Sequence, residues 1–305
     1  MLEQIAEWER FCQWAEVRRH GHALLCDLQG VQRARLHAAL SVAYFNTATG
    51  AADWREALYH AHACCDHAPV GSMLHTWGLY QVGTLAVDTS RTQEAKRYVT
   101  AFLKVVPQHP QLQGFVPRAI RDLSHVAYQE RRFADAAALR RRALALFQSA
   151  GDEPETFRTA LNLVWAYVRA GRPAAARQAL PESVPAGMEH LRHGALAAVL
   201  AAEGRWSEAL EQGRAALRAP RLAYDFADAA EICLIMAMAA RHVGAMRQAL
   251  AYIHEAALLA ARQDRSALAL MVLTIRAEGG DSSEEAASLG SGGWHPDARF
   301  TTGLG

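Results

Sequence analysis

One alanine recurs along this chain inside the same kind of local sequence. Aligning the stretch GRWSEAL, residues 204–210, with the rest of the chain finds copies with Ala57, Ala95, Ala136, Ala176, Ala209 and Ala249. Successive copies are separated by 38, 41, 40, 33 and 40 residues. A period of this length is typical of helical hairpins that stack side by side and bury a continuous core. The spacing therefore favours a repeat fold over an unrelated helical bundle.

Each copy carries the local signals of two helices joined by a tight turn. Upstream of the alanine, apolar or small residues fall at i, i+3, i+4 and i+7, as at Ile120, Leu123, Ser124, Ala127 and at Ala160, Leu163, Val164, Tyr167. This spacing predicts one buried face of a helix. Three copies then have a glycine, which suits the left-handed residue after a helix, at Gly171, Gly204 and Gly244. A bulky residue that follows is predicted to fill the gap between the helices at Trp54, Phe133, Trp206 and Met246.

This pattern resembles the tetratricopeptide repeat over about residues 38–263. The family places a second small residue seven positions after the first alanine, and the matching positions are Cys64, Phe102, Ala143, Ala216 and Ala256. Prolines near the end of a repeat match at Pro69 and Pro107. The pattern is degenerate, because the first three copies lack the turn glycine and Pro173 takes the aromatic position of the fourth. The resemblance implies an all-α, right-handed superhelical solenoid of about six stacked antiparallel hairpins.

The ends of the chain are predicted to differ from the repeats. Residues 1–37 are expected to form capping helices anchored by Trp8, Phe11 and Trp14. Residues 264–277 are expected to form a closing helix. Residues 278–305 are rich in glycine and serine, and such a composition favours a flexible tail.

Composition excludes several classes of protein. The chain has 32 basic and 31 acidic side chains, so it lacks the basic excess of a general nucleic-acid binder. Its five cysteines include no CxxC pair, which favours a reduced, intracellular protein. The first residues do not resemble a signal peptide, and no stretch is long and apolar enough for a membrane span. A cytoplasmic location without membrane or direct nucleic-acid contacts is therefore expected.

No motif for catalysis or cofactor binding is found. His60, Cys64 and His67 fall on one helical face at a spacing that a soft metal can use. However, Cys64 occupies the buried small-residue position of its repeat, so packing is the favoured interpretation. His190 and His193 lack a third ligand, and a Cys64–Cys65 disulfide on a helix would be strained. We expect no metal, no cofactor and no enzymatic activity.

The inner face of a curved solenoid, lined by the first helix of each hairpin, is the expected binding surface. Residues opposite the buried stripe of the second, third and fourth first helices predict a groove lined by Trp77, Tyr80, Arg118, Arg121, His125, Tyr128, Arg158, Asn162, Trp165 and Arg169. Arginines pair with carboxylates in bidentate geometry, and exposed aromatic side chains offer large contact areas. This set favours an acidic or carboxylate-ended peptide. The alternative is an ordinary solvated polar face.

The resemblance leaves three functions open. The favoured one is a non-catalytic scaffold that binds a protein or peptide segment in the groove. The longer repeats also resemble those of bacterial peptide-sensing regulators, which implies control of transcription or signalling, here through protein contacts. The family's paired lysine and asparagine clamp is not matched, because Val42, Ala43 and Asn46 occupy those positions in the first repeat. An enzyme is the third alternative, and a homodimer is left open.

Overall fold

The computed structural model describes residues 2–218 and 226–262. Within these ranges every long regular element is an α-helix. The helices are α1 (Leu2–Arg10), α2 (Trp14–Leu24), α3 (Gly30–Asn46), α4 (Ala51–His67), α5 (Met73–Asp88), α6 (Thr92–Val105), α7 (Val116–Gln129), α8 (Phe133–Ala150), α9 (Glu153–Arg169), α10 (Pro173–Ala179), α11 (Glu189–Ala202), α12 (Trp206–Leu217), α13 (Phe226–His242) and α14 (Met246–Arg262). The predicted all-α solenoid of stacked antiparallel hairpins is confirmed.

Helices α3 to α14 form six consecutive hairpins, numbered 1 to 6 from α3–α4 to α13–α14. The first helices of neighbouring hairpins contact one another in most cases, namely α3 with α5, α5 with α7, α9 with α11 and α11 with α13. The first helices therefore lie on the inner side of the curve, as in other helical solenoids. The predicted cap boundary at residue 37 falls inside α3, which begins at Gly30. The segments 264–277 and 278–305 lie outside the described residues.

The recurring alanines lie where two helices touch. All six are buried, as are the five residues seven positions later. A methyl group at these positions leaves room for the backbone of the neighbouring helix to approach closely, and the larger Cys64 and Phe102 are accommodated in only two copies. The interpretation of the repeat as a packing signal is thus confirmed in the structure.

A shared turn joins the helices of hairpins 2 to 6. In each, one residue has a left-handed backbone, and the amide of the next residue donates a hydrogen bond to the carbonyl five positions back. Arg172, which follows Gly171, donates in this way to Tyr167 at 2.9 Å. This is the Schellman geometry, and it needs a left-handed residue. The predicted glycines Gly171, Gly204 and Gly244 supply it, with positive φ. Hairpins 2 and 3 lack glycine there and instead hold Ser90 at φ 58° and Arg131 at φ 61°.

The bulky residues predicted to follow the first helix of a hairpin pack against a neighbouring helix in three of four cases. Trp54 contacts Phe45 and Phe133 contacts Tyr128, each on the first helix of the same hairpin, whereas Trp206 stacks on His242 of the next hairpin with ring centroids 3.9 Å apart. The prediction was wrong for Met246, whose side chain is exposed. A last-hairpin methionine has no following first helix among the described residues to cover it.

The α1–α2 pair packs on the start of the first hairpin. Ile5 and Val17 are buried with Leu40 of α3, and Trp8 and Trp14 pack against the same cluster. Phe11 was also expected to anchor this pair, but it belongs to the segment that connects α1 to α2 and is 63% exposed. Across the described helices, none is long and apolar enough to cross a membrane.

Candidate functional site

Helices α7 and α9 present polar stripes to the inner face for simple reasons of helical spacing. On α7 the buried Ala119 and Ile120 face the core, so Arg118, Arg121 and His125 fall on the other side. Helix α9 starts cleanly because the side chain of Asp152 accepts a hydrogen bond from the Glu155 amide and Pro154 occupies the first turn. Its inner stripe follows at spacings of three or four residues: Glu155, Arg158, Asn162, Trp165 and Arg169.

Ion pairs join the beginnings of these two helices. The guanidinium of Arg121 donates a hydrogen bond to the carboxylate of Glu155. Arg118 Nε lies 3.5 Å from the other oxygen of Glu155, and its Nη2 lies 4.0 Å from Asp152. Two of the predicted groove arginines are therefore already paired with acidic residues of the next hairpin. A cavity of about 330 Å³, lined in part by Arg118 and Asp152, opens beside them between α7 and α8.

A buried carboxyl group extends this contact toward α5. Asp122 is 4% exposed and accepts a hydrogen bond of 2.8 Å from the Thr84 hydroxyl. Burial raises the pKa of Asp122, although Arg121, 3.9 Å away, and the Thr84 hydrogen bond act in the opposite direction. Asp122 was not predicted from the sequence, because the helical spacing was used to find only the side chains expected to face solvent.

A second polar contact joins hairpins that are not neighbours. Tyr128 of α7 donates its hydroxyl to Glu231 Oε1 of α13 at 3.1 Å and accepts a hydrogen bond of 3.3 Å from Arg169 Nε of α9. Arg169 Nη2 lies 3.8 Å from the same Glu231 oxygen. Hairpins 3 and 4 are thereby connected directly to hairpin 6. Burial raises the pKa of the Tyr128 phenol, so it remains a neutral donor.

Small residues on α11 explain how α13 comes so close. A Cβ on Gly194 would lie only 2.6 Å from Ile232 of α13, and Ala198 is fully buried. Because α11 carries no bulk on this side, α13 packs tightly over it. Glu231, next to Ile232, is then within reach of Tyr128 and Arg169. Helical spacing places Glu231 on the same face of α13 as Met238, seven positions later, which is exposed, and this relation was the signal that could have identified Glu231.

A buried arginine on α8 contacts Tyr128 and both neighbouring helices, α7 and α9. Arg140 of α8 is 2% exposed and donates hydrogen bonds to the Ser124 hydroxyl and the backbone carbonyl of Asn162. Its guanidinium carbon also lies 4.7 Å from the centre of the Tyr128 ring. Arg140 thus ties α7 and α9 together beneath the inner face. We call Tyr128, Arg140, Arg169 and Glu231 the inner network.

The predicted aromatic residues are less accessible than expected. Tyr80 is 6% exposed and packs against Phe102 and Phe115, while Trp165 is 7% exposed and belongs to the core formed with α11 and α13. Trp77 is half-buried against the core of hairpin 2. The expectation that these rings are exposed in a groove is wrong for Tyr80 and Trp165. A helical face rule gives the direction of a side chain but not the proximity of the next helix.

The middle of the α9 stripe is where the inner face is open. Arg158 is exposed, and Asn162, one turn further on, is half-buried. Neither side chain has a hydrogen bond or an ion pair with any part of the chain that the structure describes. Half-buried His125 lies at the corresponding level of α7, between Arg121 and Tyr128. These residues are flanked by the Arg121–Glu155 pair on one side and the inner network on the other.

The histidines near the N-terminus form a separate cluster. His37 and His60 are both 1% exposed, and their Nδ1 atoms lie 2.8 Å apart in a hydrogen bond. The rings of His22 and His67 lie nearby, at 5.1 Å from His60 and 5.5 Å from His37 respectively. The side chain of Cys64 is buried, as expected, and no metal-binding group of three or more ligands occurs in the described residues. We call His22, His37, His60 and His67 the histidine cluster.

Comparisons with known proteins agree with the architecture. Residues 116–186, which contain hairpins 3 and 4, match the family model of the tetratricopeptide repeat. A structure of NprR in complex with its cognate peptide NprX is similar with a TM-score of 0.66 and 13% identity, over 95% of this chain and 86% of that chain. The apo form of the quorum sensor NprR from B. thuringiensis is similar with a TM-score of 0.59 and 12% identity, over 95% and 85%.

A search of curated protein sequences finds no significant match. The structural likeness is thus a likeness of fold, whereas the family match falls on the hairpins that carry the candidate site. Together with the repeat spacing, the buried alanines and the shared turns, these findings show a solenoid of stacked helical hairpins, of which residues 116–186 match the tetratricopeptide repeat.

Proposed function

We propose that the chain is a non-catalytic binding protein that holds a peptide segment along the inner face of α9. The observation that carries this proposal is the open position of Arg158 and Asn162 on a stripe whose other polar members, Glu155 and Arg169, are engaged by α7 and α13. An asparagine amide can donate to and accept from an extended peptide backbone, and an arginine can take up a carboxylate. The likeness to NprR, which has been solved with a peptide, supports the same use of the fold.

The structure leaves fewer arginines available to a ligand than the sequence suggested. Four arginines were expected to offer their charge to an acidic ligand, but Arg118, Arg121 and Arg169 are paired with carboxylates of this chain. Arg158 is the arginine of this group that a ligand carboxylate reaches without breaking an existing ion pair. One acidic group near Asn162, rather than a generally acidic segment, is therefore the proposed requirement.

Selection from a library of seven-residue peptides, followed by fluorescence anisotropy, tests this proposal. Replacing Arg158 by alanine should lower the affinity for the selected peptide by roughly 10-fold or more, since a charge-assisted hydrogen bond contributes about 1.5–3 kcal/mol. Asn162→Ala should lower the affinity for the same peptide by about fivefold, as expected for a neutral hydrogen bond of about 1 kcal/mol. Arg142→Ala is the matched control, because Arg142 is an exposed arginine on α8, outside the inner face.

Two results would contradict the proposal. One is a selected peptide that binds the Arg158→Ala, Asn162→Ala double variant as tightly as the original protein. The other is the absence of any peptide that binds better to the original protein than to this double variant.

A regulator that acts through protein contacts is the second candidate, and the connection of hairpins 3 and 4 to hairpin 6 favours it, because a ligand on α9 can then influence α13.

A further inference from the structure

The contact between Glu231 and the pair Tyr128–Arg169 has the chemistry of a carboxylate-binding site that is filled from within the chain. Tyr128 supplies a neutral hydroxyl donor and Arg169 supplies the positive charge, and both converge on one oxygen of Glu231. Guanidinium and phenol groups are the donors that proteins commonly use for carboxylates. The occupant comes from α13, whereas the two binding groups come from α7 and α9.

The internal occupant does not use the full capacity of the site. Arg169 Nη2 is 3.8 Å from Glu231, which is longer than a hydrogen bond, and Nε is engaged by the Tyr128 oxygen instead. A bidentate arginine–carboxylate pair would bring both oxygens to about 2.8 Å. The side chain of Arg169 is also 26% exposed, so its guanidinium is not sealed from solvent. A carboxylate that is free to orient can therefore make a better pair with Arg169 than Glu231 does.

The place of this site relative to Arg158 suits one extended ligand. Arg158 and Arg169 lie on one helical stripe, 11 residues apart, which corresponds to about 16 Å along the axis of α9. An extended peptide covers that distance with about five residues. A ligand held at Arg158 and Asn162 thus brings a group about five residues further along to the level of Tyr128 and Arg169.

We propose that Tyr128 and Arg169 form a second carboxylate site of the inner face, that Glu231 occupies it in the free protein, and that a ligand carboxylate displaces Glu231. This displacement breaks the polar connection between α13 and the pair α7–α9 and leaves the apolar core around Trp165 as the contact of α13 with α9, so hairpin 6 is held less firmly to hairpins 3 and 4. The inference rests on the proposed function, because it assigns to the same face its second anchoring point and its means of transmitting binding.

Glutarate is a suitable probe, since this small dicarboxylate tests the site without any peptide. The ¹⁵Nε–¹H NMR signal of Arg169, assigned with Arg169→Lys, reports occupancy directly. In Glu231→Gln the signal should saturate at about 10-fold lower glutarate concentration than in the original protein, because the internal competitor has lost its charge. Glu155→Gln is the matched control: it removes the same charge from the neighbouring pair with Arg121 and should leave the response of Arg169 unchanged.

Amide hydrogen exchange tests the release of α13. Exchange near Glu231 should become about fivefold faster in Glu231→Gln, and saturating glutarate should produce the same change in the original protein. Equal glutarate affinities at Arg169 in the original protein and Glu231→Gln would overturn the competition. Glutarate binding with unchanged exchange in α13 would overturn the release. The titration of the original protein keeps the test valid even where a variant folds poorly.

The outcomes also separate this inference from the proposed function. Glutarate competition at Arg169 without Arg158-dependent peptide binding would contradict the proposed function and leave the internal carboxylate site in place. Peptide binding that depends on Arg158 and Asn162, together with no response of Arg169 to glutarate, would contradict the internal site alone.

Discussion

The histidine cluster and the inner network are both buried polar groups, but they connect different parts of the solenoid. The histidine cluster consists of side chains from α2, α3 and α4, and its central pair is neutral because burial lowers the pKa of His37 to about 4 and that of His60 to about 3. The inner network contains charged groups and joins α7, α8 and α9 with α13. One therefore stabilises a single hairpin and its cap, whereas the other sets the relation between distant hairpins.

The difference has a physical consequence for how each region responds. Protonating a buried neutral imidazole adds a charge that has no partner, so the histidine cluster is sensitive to acid. The inner network already contains the opposite charges it needs, and a competing carboxylate can exchange with Glu231 at little electrostatic cost. Stability and binding should therefore be separable in this chain, with acid acting on hairpin 1 and ligand acting on hairpins 3, 4 and 6.

Acidification should produce the largest effect. Burial is the largest cause that lowers the pKa of both His37 and His60 in the fold. His67, Arg33 and His22 lower the pKa of His37 further, and His37 and His22 lower the pKa of His60 further, so the unfolded chain takes up protons that the folded chain does not bind. The free energy of unfolding should be unaffected above about pH 7 and should fall below about pH 6.5. At pH 5 the loss is about 2 kcal/mol for each histidine. Urea unfolding at pH 7.5, 6 and 5 measures it.

A variant sharpens this measurement. His60→Leu removes one titrating group and should reduce the loss between pH 7.5 and 5 by about half. His20→Gln, which replaces an exposed histidine of α2, should leave the loss unchanged. The assignment of acid sensitivity to the histidine cluster is wrong if His60→Leu shows the same pH dependence as the original protein.

Removing Arg140 should have the next largest effect and should act on the other region. Arg140→Ala loses the buried hydrogen bonds to Ser124 and to the carbonyl of Asn162 and leaves the Tyr128 ring without its cation. We expect a loss of about 2–3 kcal/mol in the free energy of unfolding at pH 7.5. Arg140→Met keeps part of the packing and should cost less.

The location of that effect distinguishes the two regions. Amide exchange should quicken in α7 and α9 but not in α3 and α4, where the histidine cluster lies. Equal quickening in α3 and α4 would show that the two buried groups belong to one cooperative unit, contrary to the separation inferred from their contacts.

The repeat was predictable from the sequence because its cause is local. A small residue is needed wherever two helices touch, as at Ala136 and Ala209, and glycine is favoured wherever the chain needs a left-handed residue, as at Gly204. Small residues and glycines therefore recur at a fixed spacing. Arg118, Arg121 and Arg169 were also placed on the inner face by helical spacing. Their carboxylate partners were not predicted. Glu231 is 103 residues from Tyr128, and their contact depends on how far the small residues of α11 let α13 approach.

The smallest predicted effect concerns the turn of hairpin 3, which begins immediately after α7. Arg131 holds a left-handed φ of 61°, a conformation that costs an ordinary residue about 1 kcal/mol more than it costs glycine. Its amide and that of Arg132 already make the turn hydrogen bonds, 2.9 and 2.8 Å long, so a substitution leaves the geometry intact. Arg131→Gly should raise the free energy of unfolding by about 0.5 kcal/mol, because the greater freedom of glycine in the unfolded chain offsets part of the gain.

Hairpin 4 provides the reverse experiment at the equivalent position. Gly171 has a φ of 67°, and a methyl group added to its Cα would meet no other atom within 4 Å, so Gly171→Ala tests backbone strain without a steric clash. It should lower the free energy of unfolding by about 1 kcal/mol. If Arg131→Gly destabilises the protein instead, the side chain of Arg131 makes a contribution that outweighs its strained backbone. In that case side-chain contacts, rather than the backbone conformation alone, determine which residue is favoured at the turn after α7.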